Sequence, residues 1–200
     1  MYQDFLILLM RFNMKKIFLV LIFFIFLIVF PNSPYKEEID YEKLNFIREK
    51  YYVAIGSIDT TKFLKSYMEN NFGKDFSKYN PILMSYYACL TGLEGKFEKN
   101  LAKKVQLVFK AISIIDSSVN KFPDCLEIRF LRFSFFHNIP DYFNVAKRRN
   151  DDLNFVYDFL LHRDFSFVPK KIQIDMVKYI VSTKRLKDEQ NLKLLRILNE

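Results

Sequence analysis

Leu101, Val105, Val108, Ile112, Ile115 and Val119 follow one another at steps of four, three, four, three and four residues. That rhythm lines six apolar side chains along one stripe of an α-helix and scatters them over both faces of a strand. Lys103, Lys104 and Lys110 fall on the other faces. Such a stripe is a core seam rather than a cofactor box, so the helix must pack on others. The same spacing recurs in Tyr41, Leu44, Ile47 and Tyr51, then in Phe63, Leu64, Tyr67 and Met68, and again in Leu83, Tyr86, Tyr87 and Leu90. Further along it returns in Leu153, Val156, Tyr157 and Leu160, in Ile172, Met176, Val177 and Ile180, and in Leu192, Leu195 and Leu198. Asp59 or Thr60, Pro81 and Pro169 read as helix starts, and Gly56, Gly73, Gly92 and Gly95 as stops. No stretch alternates long enough for a sheet. The expected fold is all-α, built of antiparallel helical hairpins with short connections.

The first 30 residues obey a different rule. Lys15-Lys16 is followed by an unbroken apolar run from Ile17 to Phe30, and then by Pro31, Asn32, Ser33 and Pro34. Charged patch, apolar run and breaker come in the order of a secretory signal. A run of 14 residues makes a helix of roughly 21 Å, short of the bilayer core of about 30 Å. The length favours a signal. The absence of a small-x-small cleavage pattern and the upstream patch Phe5–Met10 favour a retained anchor, with snorkelling lysines and Tyr35 stretching it to fit. Met14, directly before the lysines, offers an alternative translation start to Met1. The expectation is an N-terminal signal peptide or membrane anchor over 1–34, with membrane attachment through residues 15–30, and an all-α domain over 35–200. The positive-inside rule places that domain outside the cytoplasm, on the periplasmic side of the inner membrane in a bacterium.

The segment Asp124–His137 is the most unusual. At about 100° per residue, Leu126, Phe130, Phe133 and His137 share one helix face, and Ile128, Leu131 and Phe135 cover the opposite one. A helix apolar on two opposed sides sits between neighbours. Arg129 and Arg132 lie in the narrow sector between those faces, where charge is expensive. Two readings follow. Asp151, Asp152, Asp158 or Glu127 pairs with them in a structural network, or the two guanidinium groups form a fork that grips a carboxylate or phosphate of a ligand or partner.

Ala111, Ile115, Ser118 and Pro123 stand at the spacings that end the second helix of a tetratricopeptide repeat, where small residues let paired helices approach closely and the proline opens the next unit. The region from about Pro81 to Asp152 resembles a family of uncharacterised bacterial helical proteins. The resemblance is carried by Tyr86-Tyr87-Ala88, the helix end from Val119 to Pro123, Glu127-Ile128-Arg129-Phe130-Leu131-Arg132, Asn138-Ile139-Pro140 and Asp152. It covers about a third of the chain and leaves out the N-terminal apolar segment. It implies a tetratricopeptide-like helical fold and brings no catalytic residues with it.

The rest of the sequence argues by exclusion. Four glycines form no phosphate-cradling loop and no nucleophile elbow. The two histidines, His137 and His162, stand outside any metal-ligand spacing, so no metal and no cofactor is expected. Cys89 and Cys125 read as packing residues, with a disulfide between them an option for an exported domain. The net charge of +8 falls to +6 once the first 30 residues are set aside. It is spread too widely for a nucleic-acid stripe. No catalytic signature emerges, and the expected function is that of a protein-interaction module. The alternative is a helical domain that binds an anionic small ligand or lipid through Arg129 and Arg132.

Overall fold

The computed structural model describes residues 39–198. The expected signal or anchor over 1–34, with its attachment through residues 15–30, lies outside the described residues. Among those described there are eight α-helices and no strand. They are α1 (Tyr41–Ala54), α2 (Ile58–Phe72), α3 (Pro81–Phe97), α4 (Leu101–Lys121), α5 (Leu126–His137), α6 (Ala146–His162), α7 (Lys170–Ser182) and α8 (Asp188–Leu198). No described helix is long and apolar enough to cross a membrane.

The first four helices are opened by their own side chains. Asp40, Ser57, Asn80 and Asn100 each accept a hydrogen bond from a backbone N–H of the first turn, at 3.1, 3.2, 2.9 and 3.0 Å. Caps of this kind contribute about 1 kcal/mol each. Ser57, rather than Asp59 or Thr60, caps α2, because the chain is extended at Ser57 and already helical at Ile58. Pro81 occupies the first turn of α3, where its missing N–H costs nothing. Gly73 follows α2 at φ +89°, a conformation that disfavours any side chain.

Gly92 and Gly95 do not stop a helix; α3 runs through both to Phe97. The reason is contact. A Cβ on Gly92 would stand 2.5 Å from Cε2 of Phe135, and one on Gly95 would stand 3.3 Å from the backbone oxygen of Lys104. The glycines let α5 and the start of α4 come close to α3.

Consecutive helices pack on one another, α3 on α4 and α5 on α6 most extensively, and α3 also meets α1 and α5. Two apolar cores result. The first joins α1, α2, α3 and α4 to Ile128, Leu131, Phe135 and Phe136 of α5. The second joins Leu126 and Phe133 of α5 to α6, α7 and α8. The helix with two apolar faces is therefore the wall between the cores, with Phe133 and Phe136 fully buried on either side of it. The α4 seam is buried from Val108 to Val119, whereas Leu101 at its start is exposed. In α8 the buried residues are Leu194 and Ile197, and Leu192 points to solvent. The expected stripe of leucines is displaced there because α8 rests on α6 and α7 through the residues beside it.

Candidate functional site

A pocket of about 520 Å³ opens between α1, α3, α5 and α7, closed at one side by the start of α4 and by the segment 138–143 after α5. This is the size of a typical ligand cleft. Its walls are rich in aromatic rings: Tyr51 and Tyr52 from α1, Tyr86 from α3, Phe130 and Phe135 from α5, and Tyr179 from α7. Tyr51 and Tyr86 meet edge to face at 5.4 Å, and Tyr179 does the same with Phe130 at 5.7 Å. Tyr52, Ile55 and Tyr142 line the mouth and remain exposed, Tyr142 at 73%.

The polar groups are few and placed. Glu127 of α5 is fully buried. Its carboxylate accepts from Nε and Nη2 of Arg48 at 2.8 and 2.6 Å and from the Tyr86 hydroxyl at 2.8 Å. This fork-on-fork pair joins α1 to α5 across 79 residues of sequence and holds the charge of Glu127 in place. Burial, reinforced by the neighbouring Glu127 charge, raises the pKa of Tyr86 well above the ordinary phenol value. Tyr86 therefore stays a donor. At the far end of α5 Asn138 donates to the Ser134 carbonyl at 2.7 Å and to the Tyr179 hydroxyl at 2.8 Å.

Cys89 lines the same pocket and is 1% exposed. Burial pushes its thiol up to about 12, against a small opposing effect from a hydrogen bond to Tyr51. A thiol held neutral is a poor nucleophile. Cys89 and Cys125 are both buried as thiols, with no disulfide between them.

Charge at the pocket is uneven. Its acids are Glu127 and Asp175, and each has a cation: Arg48 for the first, and Lys178 at 3.7 Å for the second. Its lysines are Lys96 and Lys104. Lys96 donates to the Ile55 carbonyl at 2.7 Å. Neither lysine has a carboxylate partner among the described residues.

Arg129 and Arg132 are elsewhere. They are not among the residues lining the pocket. Nε and Nη2 of Arg132 reach the Asp152 carboxylate at 2.7 and 2.8 Å, and Nη1 reaches Asp116 at 2.8 Å. Arg129 reaches Asp152 at 2.9 Å and lies over the Phe155 ring at 4.8 Å. Arg148 completes the chain by pairing with Asp116. Three helices, α4, α5 and α6, are tied together by these five side chains. Burial works against the charge on Arg132, but Asp152 and Asp116 outweigh it, and its pKa is raised. Of the four acids expected as partners, Asp152 takes that role. Glu127 is on the same helix but turns to Arg48, because α1 lies on its side.

Among the described residues no three His, Cys, Asp or Glu side chains are grouped to hold a metal ion. No family model, no curated protein and no solved structure matches the chain.

Proposed function

We propose that the domain is a tetratricopeptide-like stack of four helical hairpins, α1–α2, α3–α4, α5–α6 and α7–α8, that serves as a protein-interaction module. The observation that carries this reading is the origin of the pocket walls: α1, α3, α5 and α7, the first helix of each pair, all contribute, whereas of the second helices only α4 does, through Lys104, Val105 and Val108, and α2, α6 and α8 contribute none. In stacked hairpins one helix of each pair faces the concave side, where a partner segment lies. The placement of polar groups suits holding rather than reacting, since Glu127 is neutralised by Arg48 and the Cys89 thiol is kept protonated. Residues 15–30 bring the module to the membrane as a signal or an anchor, with the domain on the outer side of that membrane.

Site-resolved photocrosslinking tests the reading. A benzophenone side chain at Tyr142 or Phe130, at the pocket, is expected to capture a discrete partner band from membranes. The same group at Asp158 on the exposed face of α6 is expected to capture none. Equal capture at all three positions would reject the pocket as the working surface. N-terminal sequencing of the fractionated protein decides between signal and anchor. The second reading, an anionic ligand held by Arg129 and Arg132, has less support, since Asp152 and Asp116 already engage all three nitrogens of Arg132 and Arg129 is already paired with Asp152.

A further inference from the structure

We propose that the pocket takes an acidic and apolar segment of a protein partner, with an aromatic or aliphatic side chain among the rings and an Asp or Glu carboxylate at Lys96 and Lys104. This rests on the interaction-module reading and adds the chemistry of the occupant.

The sign of the charge follows from pairing. Both carboxylates of the lining, Glu127 and Asp175, are matched within the chain by Arg48 and Lys178. The two lysines of the lining are matched by no carboxylate among the described residues, and Lys104 is only partly exposed. The pocket is therefore left with two positive charges whose carboxylate would have to come from outside, Lys96 at its exposed edge and Lys104 beside an apolar wall, where an incoming anion is attracted more strongly than in open water. The backbones that carry the two lysines lie close together. Gly95 holds the Lys104 backbone close to the end of α3, next to Lys96.

The apolar part follows from size and lining. A cavity of roughly 150 Å³ holds one benzene ring, so about 520 Å³ accommodates two or three side chains. Phe130, Phe135 and Tyr179 offer ring faces and edges to them, and Tyr142, Tyr52 and Ile55 at the mouth can cover the flanking backbone. Val105 and Val108 lie beside Lys104 on the same wall. One short segment thus reaches apolar and basic surface together.

Selection from a random peptide display library on the full chain, in detergent, tests the proposal. The expected result is enrichment of peptides that pair apolar residues with Asp or Glu. Binding of the enriched peptides, read by fluorescence polarisation, should weaken roughly fivefold with Lys104→Gln and with Lys96→Gln, fall with added salt, and persist with Lys104→Arg. Melting curves verify that each variant is folded. Enrichment without an acidic preference, or with a basic one, overturns this proposal and leaves the interaction module standing. So does undiminished binding in both folded glutamine variants. Enrichment of no peptide overturns both.

Discussion

Arg132 and Asp152 meet as a two-pronged pair, Nε and Nη2 of the guanidinium lying 2.7 and 2.8 Å from the two carboxylate oxygens. Asp152 is fully buried and Arg132 is 5% exposed. Removing one partner of such a pair strands the other's charge, at a cost of about 3–5 kcal/mol. Asp152→Ala should therefore be among the most destabilising polar substitutions, since Arg129 loses its carboxylate as well. Urea unfolding of Asp152→Ala, Arg132→Met and the Asp152→Leu/Arg132→Met double variant gives the comparison. The double variant is expected to be more stable than Asp152→Ala. A loss below 1 kcal/mol in Asp152→Ala would contradict the structural role of the network.

Gly92→Ala places a methyl group where only a ring edge now fits, 2.5 Å from Phe135 Cε2. Alanine favours the helix by about 1 kcal/mol over glycine, while overpacking costs about 1–3 kcal/mol. The clash should win, for a net destabilisation of about 1 kcal/mol. In a Phe135→Leu background the ring is gone and the same substitution should become neutral or stabilising. A double-mutant cycle measured by thermal melting reads the change of sign. Because Phe135 lines the pocket, Gly92→Ala should also weaken whatever binds there.

Much of this arrangement can be read from residue order, and some cannot. The two apolar faces of α5 follow from a 3.6-residue period, and the structure sorts Ile128 and Leu131 into one core and Leu126 and Phe133 into the other. The expense of Arg129 and Arg132 between those faces was equally legible; Asp152 stood among four candidate partners, and Asp116, which also pairs with Arg132, was not among them. The Arg48–Glu127 pair was not: its members stand 79 residues apart, and no local period links them. Gly92 was misleading because a glycine that ends a helix and one that admits a ring look alike in sequence. The pocket itself was hidden for a related reason. Tyr51, Tyr86, Phe130 and Phe135 occupy seam positions, and periodicity says that a seam faces inward without saying whether the space it faces is filled.

The two cysteines give a chemical readout of folding. Cys89 is buried and its thiol is pushed up to about 12, so little thiolate exists at neutral pH. Maleimide should label the native protein slowly at Cys89 and rapidly once urea passes the unfolding midpoint. Peptide mapping of labelled protein by mass spectrometry locates the adduct. Fast labelling of Cys89 in the native state would mean that the pocket opens far more than its packing allows.

His137 couples stability to mild acid. Its Nδ1 accepts from Arg185 Nε at 2.6 Å, and its ring stacks on Phe133. Burial first, and then the Arg185 and Arg149 charges, lower its pKa below the ordinary 6.5. The folded state thus favours the neutral ring, and the unfolded state binds the proton more readily. The stability so gained is present above about pH 6.5 and is lost as the pH falls through the lowered value. Melting temperatures between pH 7.5 and 5 should decline in the parent chain and decline less in His137→Gln. Identical slopes would remove His137 from the explanation.

The buried carboxylate at the pocket wall makes the last prediction a ranking. Glu127 accepts from Arg48 through two donors and from the Tyr86 hydroxyl through one. Tyr86→Phe removes a single hydrogen bond and keeps the ring against Tyr51, so its cost should be about 1–2 kcal/mol. Glu127→Gln keeps the shape but takes away the counter-charge of Arg48, which is 3% exposed, and should cost about 3–5 kcal/mol. Glu127→Leu combined with Arg48→Met removes both charges and should recover part of that loss. Chemical denaturation of the four chains measures the order. If Tyr86→Phe proved the more damaging single change, the pair would not be what holds α1 to α5, and the pocket wall would owe its position to the ring packing of Tyr51 and Tyr86 instead.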